Sequence, residues 1–290
     1  GAQGVGLLRT EFCFLGRDTE PSIEEQVAAY RGVFDAFPGK KVVIRTLDAG
    51  ADKPLPFLTN ASEPNPALGV RGYRTDLTSP GVLERQLKAI AAAAEGSQAE
   101  VWVMAPMIST AEEAGRFASL CAAAGLKTPG VMVEVPSAAL TAEAILGRVE
   151  FASLGTNDLT QYAMAADRQL GPLAALNNSW QPAVLMLIEL TVAGSEAEGH
   201  HKPLGVCGEA AADPALAVVL TGLGVSSLSM TPRALAASGA VLTNFTLEEA
   251  KDLASLALAP PIAHERPPRS TPPLPLPYTP SASPVPRAVP

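Results

Sequence analysis

Five apolar runs in this chain each end in residues able to do chemistry. Leu7-Leu8 leads into Arg9 and Glu11, and Val42-Val43-Ile44 into Arg45 and Asp48. Val131-Met132-Val133 leads into Glu134, and Ser153-Leu154-Gly155 into Asn157 and Asp158. Gly205-Val206 leads into Cys207 and Glu209. Arginine presents a planar fork that pairs bidentately with phosphate or carboxylate. Two carboxylates such as Glu134 and Asp158 can together hold a hard divalent cation, which takes further oxygens from water and substrate phosphate. Each residue also has a plainer use. Glu134 alone suits a structural ion pair, Asp158 suits a helix cap, and a lone cysteine after an apolar strand is ordinarily a small core residue. At a cationic strand end Cys207 could instead act as an acid or a nucleophile.

The elements that must position these residues show in the hydrophobic pattern. Strands are expected at Gly4–Leu8, Val42–Ile44, Val101–Ala105, Val131–Val133, Phe151–Leu154, Leu204–Val206 and Ser227–Met230. Continuous apolar runs of this kind suit a parallel sheet buried on both faces. Between them the spacing predicts helices over Ile23–Ala36, Val82–Ala94, Ala111–Ala123, Ala138–Leu146, Ala183–Glu198 and Ala215–Leu223. Pro136, Pro182, Pro214 and Pro232 stand where first helical turns would begin. The alternation is that of an α/β fold. A closed barrel would bring all five strand ends to one mouth, and an open doubly wound sheet is the structural rival. Arg71, in Asn65-Pro66-Ala67-Leu68-Gly69-Val70-Arg71, and Arg168, beyond Asp158, could add to the same mouth. Together they describe a site for a small polyanion carrying phosphate and carboxylate.

Composition narrows the classes further. The 290 residues are 47% hydrophobic with a net charge of −8, which disfavours bulk attraction to nucleic acid or to an anionic membrane. No apolar run is long enough for a membrane span. Three widely spaced cysteines, Cys13, Cys121 and Cys207, form neither a disulfide framework nor a zinc pattern and fit a reducing, cytoplasmic setting. From Pro260 the composition changes: twelve of the 31 residues 260–290 are proline. Residues 1–259 are therefore expected to form the folded domain and residues 260–290 a disordered, proline-rich tail. That tail could alternatively be the working part of an interaction module. The opening Gly1-Ala2-Gln3-Gly4, and seven strands where a barrel of this class has eight, lead us to expect a first strand and helix before Gly1.

These motifs resemble a known family. Gly6-Leu7-Leu8-Arg9-Thr10-Glu11-Phe12, Arg45-Thr46-Leu47-Asp48-Ala49-Gly50-Ala51-Asp52-Lys53 and the Asn65–Arg71 segment are similar to enzyme I of the bacterial phosphotransferase system. So are Gly130–Ala139, Gly155–Arg168 and Cys207-Gly208-Glu209, so that the likeness runs in order from about Gly4 to Leu258. Pyruvate phosphate dikinase and phosphoenolpyruvate synthase belong to the same wider family. The Arg-Thr-Leu-Asp motif and the Ala-Asp-Arg ending at Arg168 lie closer to enzyme I.

The resemblance implies a (βα)8 TIM-like barrel of the phosphoenolpyruvate/pyruvate-binding type. It implies that Arg9, Arg45, Arg71, Asn157 and Arg168 bind phosphoenolpyruvate and that Glu134 and Asp158 ligate Mg2+. Cys207 would protonate the leaving enolpyruvate as pyruvate forms. It further implies a partner histidine on an N-terminal domain, onward transfer to HPr in sugar uptake, and a homodimer. No histidine of this sequence sits in a phosphohistidine motif, so the likeness is to the C-terminal half alone. One departure is Ala210-Ala211-Ala212 before Asp213, where the family has glycine.

Overall fold

Seven short strands lie in chain order around one parallel sheet: β1 (Gly4–Arg9), β2 (Lys41–Arg45), β3 (Glu100–Ala105), β4 (Pro129–Val133), β5 (Phe151–Gly155), β6 (Leu204–Cys207) and β7 (Ser227–Ser229). The computed structural model describes residues 2–50, 54–60, 62–199 and 201–259. The expected tail, together with Asp52 and Lys53, lies outside the described residues. All seven expected strands are present, each within two residues at its ends.

The sheet is buried on both faces, which is why its strands read as unbroken apolar runs. Val42, Ile44, Val103, Val131, Val133, Leu154 and Val206 point outward into a core shared with the helices. Val43, Met104, Met132, Phe151 and Cys207 point inward, joined by Leu7 and Trp102. Two layers that alternate along every strand are the packing of a filled barrel. The barrel is nearly closed, because a Cβ on Gly6 of β1 would stand 2.6 Å from Cβ of Ser229 on β7. The open doubly wound alternative is thereby excluded. The register sets Arg9 opposite Arg45 and Gly155 opposite Cys207, so the strands end level at one mouth.

The helices are α1 (Ile23–Asp35), α2 (Val82–Ala94), α3 (Ala111–Ala123), α4 (Pro136–Leu140), α5 (Ala142–Leu146), α6 (Thr156–Ala163), α7 (Pro182–Ser195), α8 (Glu209–Ala212), α9 (Pro214–Leu223), α10 (Leu235–Leu242) and α11 (Leu247–Leu258). Helices α1 and α3 start on capping boxes, Ser22 with Glu25 and Thr110 with Glu113.

Three expectations need correction. The helix read over 138–146 breaks at Thr141, which has non-helical backbone and donates its hydroxyl to the Ser137 carbonyl at 2.8 Å. A side chain that satisfies the preceding turn in this way competes with helix continuation. The helix read to Glu198 stops at Ser195, giving way to a short 3-10 turn over Ala197–Gly199. Pro232 starts no helix; it sits in a turn three residues ahead of α10. Ala210 and Ala211 lie buried in α8, and Asp213 caps α9 by accepting from the N–H groups of Ala215 and Leu216.

Candidate active site

The mouth is built from the residues that follow each strand. After β1 the chain makes a 3-10 turn over Thr10–Cys13 that buries Glu11. Asp48 follows β2, Glu134 follows β4, and Asn157 and Asp158 lie in the first turn of α6. Arg71 arrives from a long excursion between β2 and α2 and is folded back where the Gly72 N–H donates to the Ala49 carbonyl at 3.1 Å. The crossing needs glycine at position 50. Its φ is +111°, and a Cβ there would lie 2.7 Å from Cβ of Arg71.

A continuous ion network links these elements. Arg45 Nη2 lies 3.0 Å from Glu11 Oε1 and 3.1 Å from Asp48 Oδ2. Arg71 Nη2 donates to both oxygens of Asp48, at 3.2 and 3.1 Å. Arg71 Nη1 reaches Asp158 Oδ1 at 3.0 Å and the Tyr162 hydroxyl at 3.3 Å. Arg168 Nη1, on the rim, lies 3.4 Å from Asp158 Oδ2. The Tyr162 hydroxyl in turn donates to the Ala67 carbonyl, tying the Arg71 loop to α6. Burial alone would lower the arginine pKa values, but Asp48 with Glu11 at Arg45, and Asp48 with Asp158 at Arg71, outweigh it and hold both guanidinia charged.

The network leaves two strong donors unused. Arg45 Nε and Arg71 Nε are buried and have no hydrogen-bond partner among the described residues. Buried donors without partners are rare in folded proteins and ask for an explanation. An anion entering the mouth would supply one.

Glu134 is 1% exposed, and its Oε1 accepts from the Met107 N–H at 2.7 Å. Met107 pays for this contact with a left-handed backbone, φ +59°, which a non-glycine residue rarely adopts. Burial first, then Asp158 and Asp48, push the Glu134 carboxyl up to about 8 against the pull of Arg45 and Arg71. Cys207 is also buried; its thiol donates to the Leu154 carbonyl at 3.4 Å, and burial is the main cause that raises its pKa to about 11. Asn157 Oδ1 accepts from the Glu209 N–H at 3.3 Å, and the Thr156 hydroxyl donates to the Cys207 carbonyl at 3.0 Å. These two bonds clamp the ends of β5 and β6 together.

The structure thus brings Arg45, Arg71, Asp158 and Arg168 into one network, with Glu134 and Cys207 electrostatically coupled to it. Arg9 stands apart. It ends β1 beside Arg45, but it is exposed and its guanidinium lies 5.6 Å over the Phe12 ring. The carboxylate nearest in sequence, Glu11, is taken by Arg45. Glu11 pairs with Arg45 and Asp48 bridges Arg45 and Arg71, a role not assigned to them from sequence. Their signal was present, since both follow an arginine by two or three residues at a strand end. Met132, whose sulfur accepts from Arg45 Nη1 at 3.4 Å, gave no such signal.

The sequence model for the PEP-binding domain of PEP-utilising enzymes matches residues 1–246. The chain belongs to that family. The resemblance read from the motifs is borne out by its relatives. A phosphoenolpyruvate-protein phosphotransferase of Streptomyces coelicolor is 56% identical over 91% of this chain and 48% of its own length. One of Haloferax volcanii is 44% identical over 89% of this chain and 48% of its own length. A multiphosphoryl transfer protein of Rhodobacter capsulatus is 45% identical over 89% of this chain and 32% of its own length. The chain therefore spans about half the length, or less, of these curated relatives. No described helix of this PEP-binding domain is long and apolar enough to cross a membrane.

Proposed function

We propose that this chain binds phosphoenolpyruvate with Mg2+ and gives up its phosphoryl group to a histidine on a separate N-terminal domain, for onward transfer to HPr in sugar uptake, leaving pyruvate. The observation that carries the reading is the pair of buried arginines whose Nε–H groups have no partner among the described residues, beside two carboxylates and a buried thiol. The names of the relatives support phosphoryl transfer as the reaction. The three free cysteines agree with a cytoplasmic setting. The homodimer rests on the family resemblance.

The donor set fits magnesium. Among the described residues, the carboxylates of Glu11, Asp48, Glu134 and Asp158 gather at the mouth with the guanidinia of Arg45, Arg71 and Arg168. Among the described residues no three His, Cys, Asp or Glu side chains gather as a complete metal cage. A magnesium ion can be held by one or two carboxylates and take its other ligands from water and substrate phosphate. Glu134 and Asp158 would hold the ion, which when bound supplies charge neutralisation on the phosphate oxygens.

The protein's own groups do the rest. Arg45 and Arg71 offer Nε–H and fork donors to the phosphate and carboxylate, with Arg168, Arg9 and Asn157 at the rim. Positioning and charge neutralisation account for most of the catalysis in phosphoryl transfer. As the bridging O–P bond breaks, phosphorus bonds to the acceptor histidine nitrogen and the enolate electron pair returns to C3. Cys207, still a thiol at neutral pH because its pKa is raised, gives C3 a proton and completes pyruvate. The thiolate then recovers a proton from water.

Titration calorimetry tests the binding step. Phosphoenolpyruvate should bind saturably with Mg2+ and weakly without it. Arg45→Lys keeps the charge but loses the fork, and should weaken binding by about 1.5–3 kcal/mol, roughly ten- to hundredfold. Unchanged affinity would count against the site.

Glu134 adds a pH dependence. The unfolded carboxyl titrates near 4.5 and the folded one near 8, so the folded chain keeps a proton that the unfolded chain loses. Stability carried through this group is complete below about 4.5 and is lost as pH rises through about 8. Because magnesium needs the ionised carboxylate, it should raise Tm more at pH of about 8.5 than at about 6. The Glu134→Gln variant should abolish the difference. Equal stabilisation of the unsubstituted chain at both pH values would contradict the assignment of Glu134 as a ligand.

A further inference from the structure

Behind the mouth runs a second buried polar network that phosphoryl transfer does not use directly. Its centre is Gln86 on α2, which is 1% exposed. Gln86 Nε2 donates to Thr10 Oγ1 and to the Tyr30 hydroxyl, both at 3.1 Å. Its Oε1 accepts from the Leu47 N–H at 2.7 Å. One amide thus ties together the turn after β1, the segment after β2, and α1.

Each of the first two ties lies one step from a group in the mouth. The Thr10 hydroxyl donates to the Arg45 carbonyl at 2.9 Å. Leu47 lies between Arg45 and Asp48, and the Asp48 N–H donates to Glu11 Oε1 at 3.0 Å. The third tie is an anchor. The Tyr30 hydroxyl donates to Gln26 Oε1 at 3.0 Å, and Gln26 Nε2 to the Pro21 carbonyl at 3.1 Å. The backbone that presents Arg45 and Asp48 is thereby fastened to the outer helix layer.

Only an amide of this length meets the geometry. Glutamate offers no N–H for Thr10 or Tyr30. An apolar side chain would leave the buried Leu47 N–H without a partner and so destabilise the segment. A fully satisfied buried network holds a single arrangement, and a partly satisfied one lets the segment move. We infer that Gln86 is a positioning residue for phosphoenolpyruvate binding, fixing the segment from Arg45 to Asp48 so that guanidinium and carboxylate stand at the mouth. The inference rests on the proposed function and extends it to a residue that never touches the substrate.

The test compares Gln86→Met, which keeps the volume and removes every bond, with Ile188→Ala on α7, a core change far from this network. Both should lower Tm. At a temperature where both are folded, only Gln86→Met should weaken phosphoenolpyruvate binding, by about tenfold or more, as losses of supporting contacts do at other sites. A second readout needs no ligand. The Arg45 Nε–H resonance, assigned through Arg45→Lys, should shift in Gln86→Met and stay in place in Ile188→Ala. If Gln86→Met does not fold, Thr10→Val removes the Gln86–Thr10–Arg45 carbonyl link, leaves the Gln86 bonds to Leu47 and Tyr30 in place, and should move affinity and resonance in the same direction. Unchanged affinity and an unmoved resonance in a folded variant overturn the inference. Failure of the unsubstituted chain to bind phosphoenolpyruvate would overturn the functional reading instead, and the resonance comparison would still decide whether Gln86 positions Arg45.

Discussion

Replacing Arg71 with methionine will both abolish phosphoenolpyruvate binding and destabilise the barrel. The guanidinium is almost wholly buried and bridges Asp48 and Asp158. Removing one partner of such a network strands the others in a poorly solvated place, which typically costs about 3–5 kcal/mol. Most of that loss comes from the abandoned carboxylates rather than from the missing contacts. The double variant Arg71→Met/Asp48→Asn removes one of those charges and should recover part of the Tm while remaining unable to bind. Thermal melts and calorimetry on the two variants separate the effects. Recovery of binding in the double variant would show that Arg71 serves the fold and not the ligand.

The second large effect belongs to Cys207. It ends β6 inside the barrel, and its thiol is kept protonated by burial. Cys207→Ala should leave phosphoenolpyruvate affinity nearly unchanged, because the proposed grip on the anion comes from the arginines. Pyruvate formation, measured with the other half of a longer relative supplied in trans, should fall by about 10²–10⁴, the usual worth of a positioned proton donor. A loss of affinity with an unchanged rate would mean that Cys207 packs the barrel and donates nothing.

Much of this architecture was legible in the sequence, for a physical reason. Strands buried on both faces read as continuous apolar runs, so Val42–Ile44 of β2 and Val131–Val133 of β4 announce themselves. The chemistry-bearing residues then stand at their ends, where a barrel has its mouth. Local signals failed where tertiary structure decides. Thr141 splits a helix that periodicity runs through, and Pro232 marks a turn, since nothing local places α10 three residues later. The sequence suggested that Arg9 shares the site of Arg45. Their strand ends are indeed paired, but the exposed guanidinium lies over Phe12. Glu11 and Asp48 were visible as strand-end polar residues, yet only the folded network shows that they hold the arginines. Gln86 gave no signal, because its partners lie 39, 56 and 76 residues away in the chain.

The most direct test is a crystal structure of this chain grown with phosphoenolpyruvate and Mn2+, read by anomalous scattering from the manganese. The account predicts one strong peak in the mouth, bound by Glu134 and Asp158, with the phosphate and carboxylate of the ligand against Arg45 and Arg71. A manganese peak elsewhere, or a ligand lodged away from those two arginines, would contradict it.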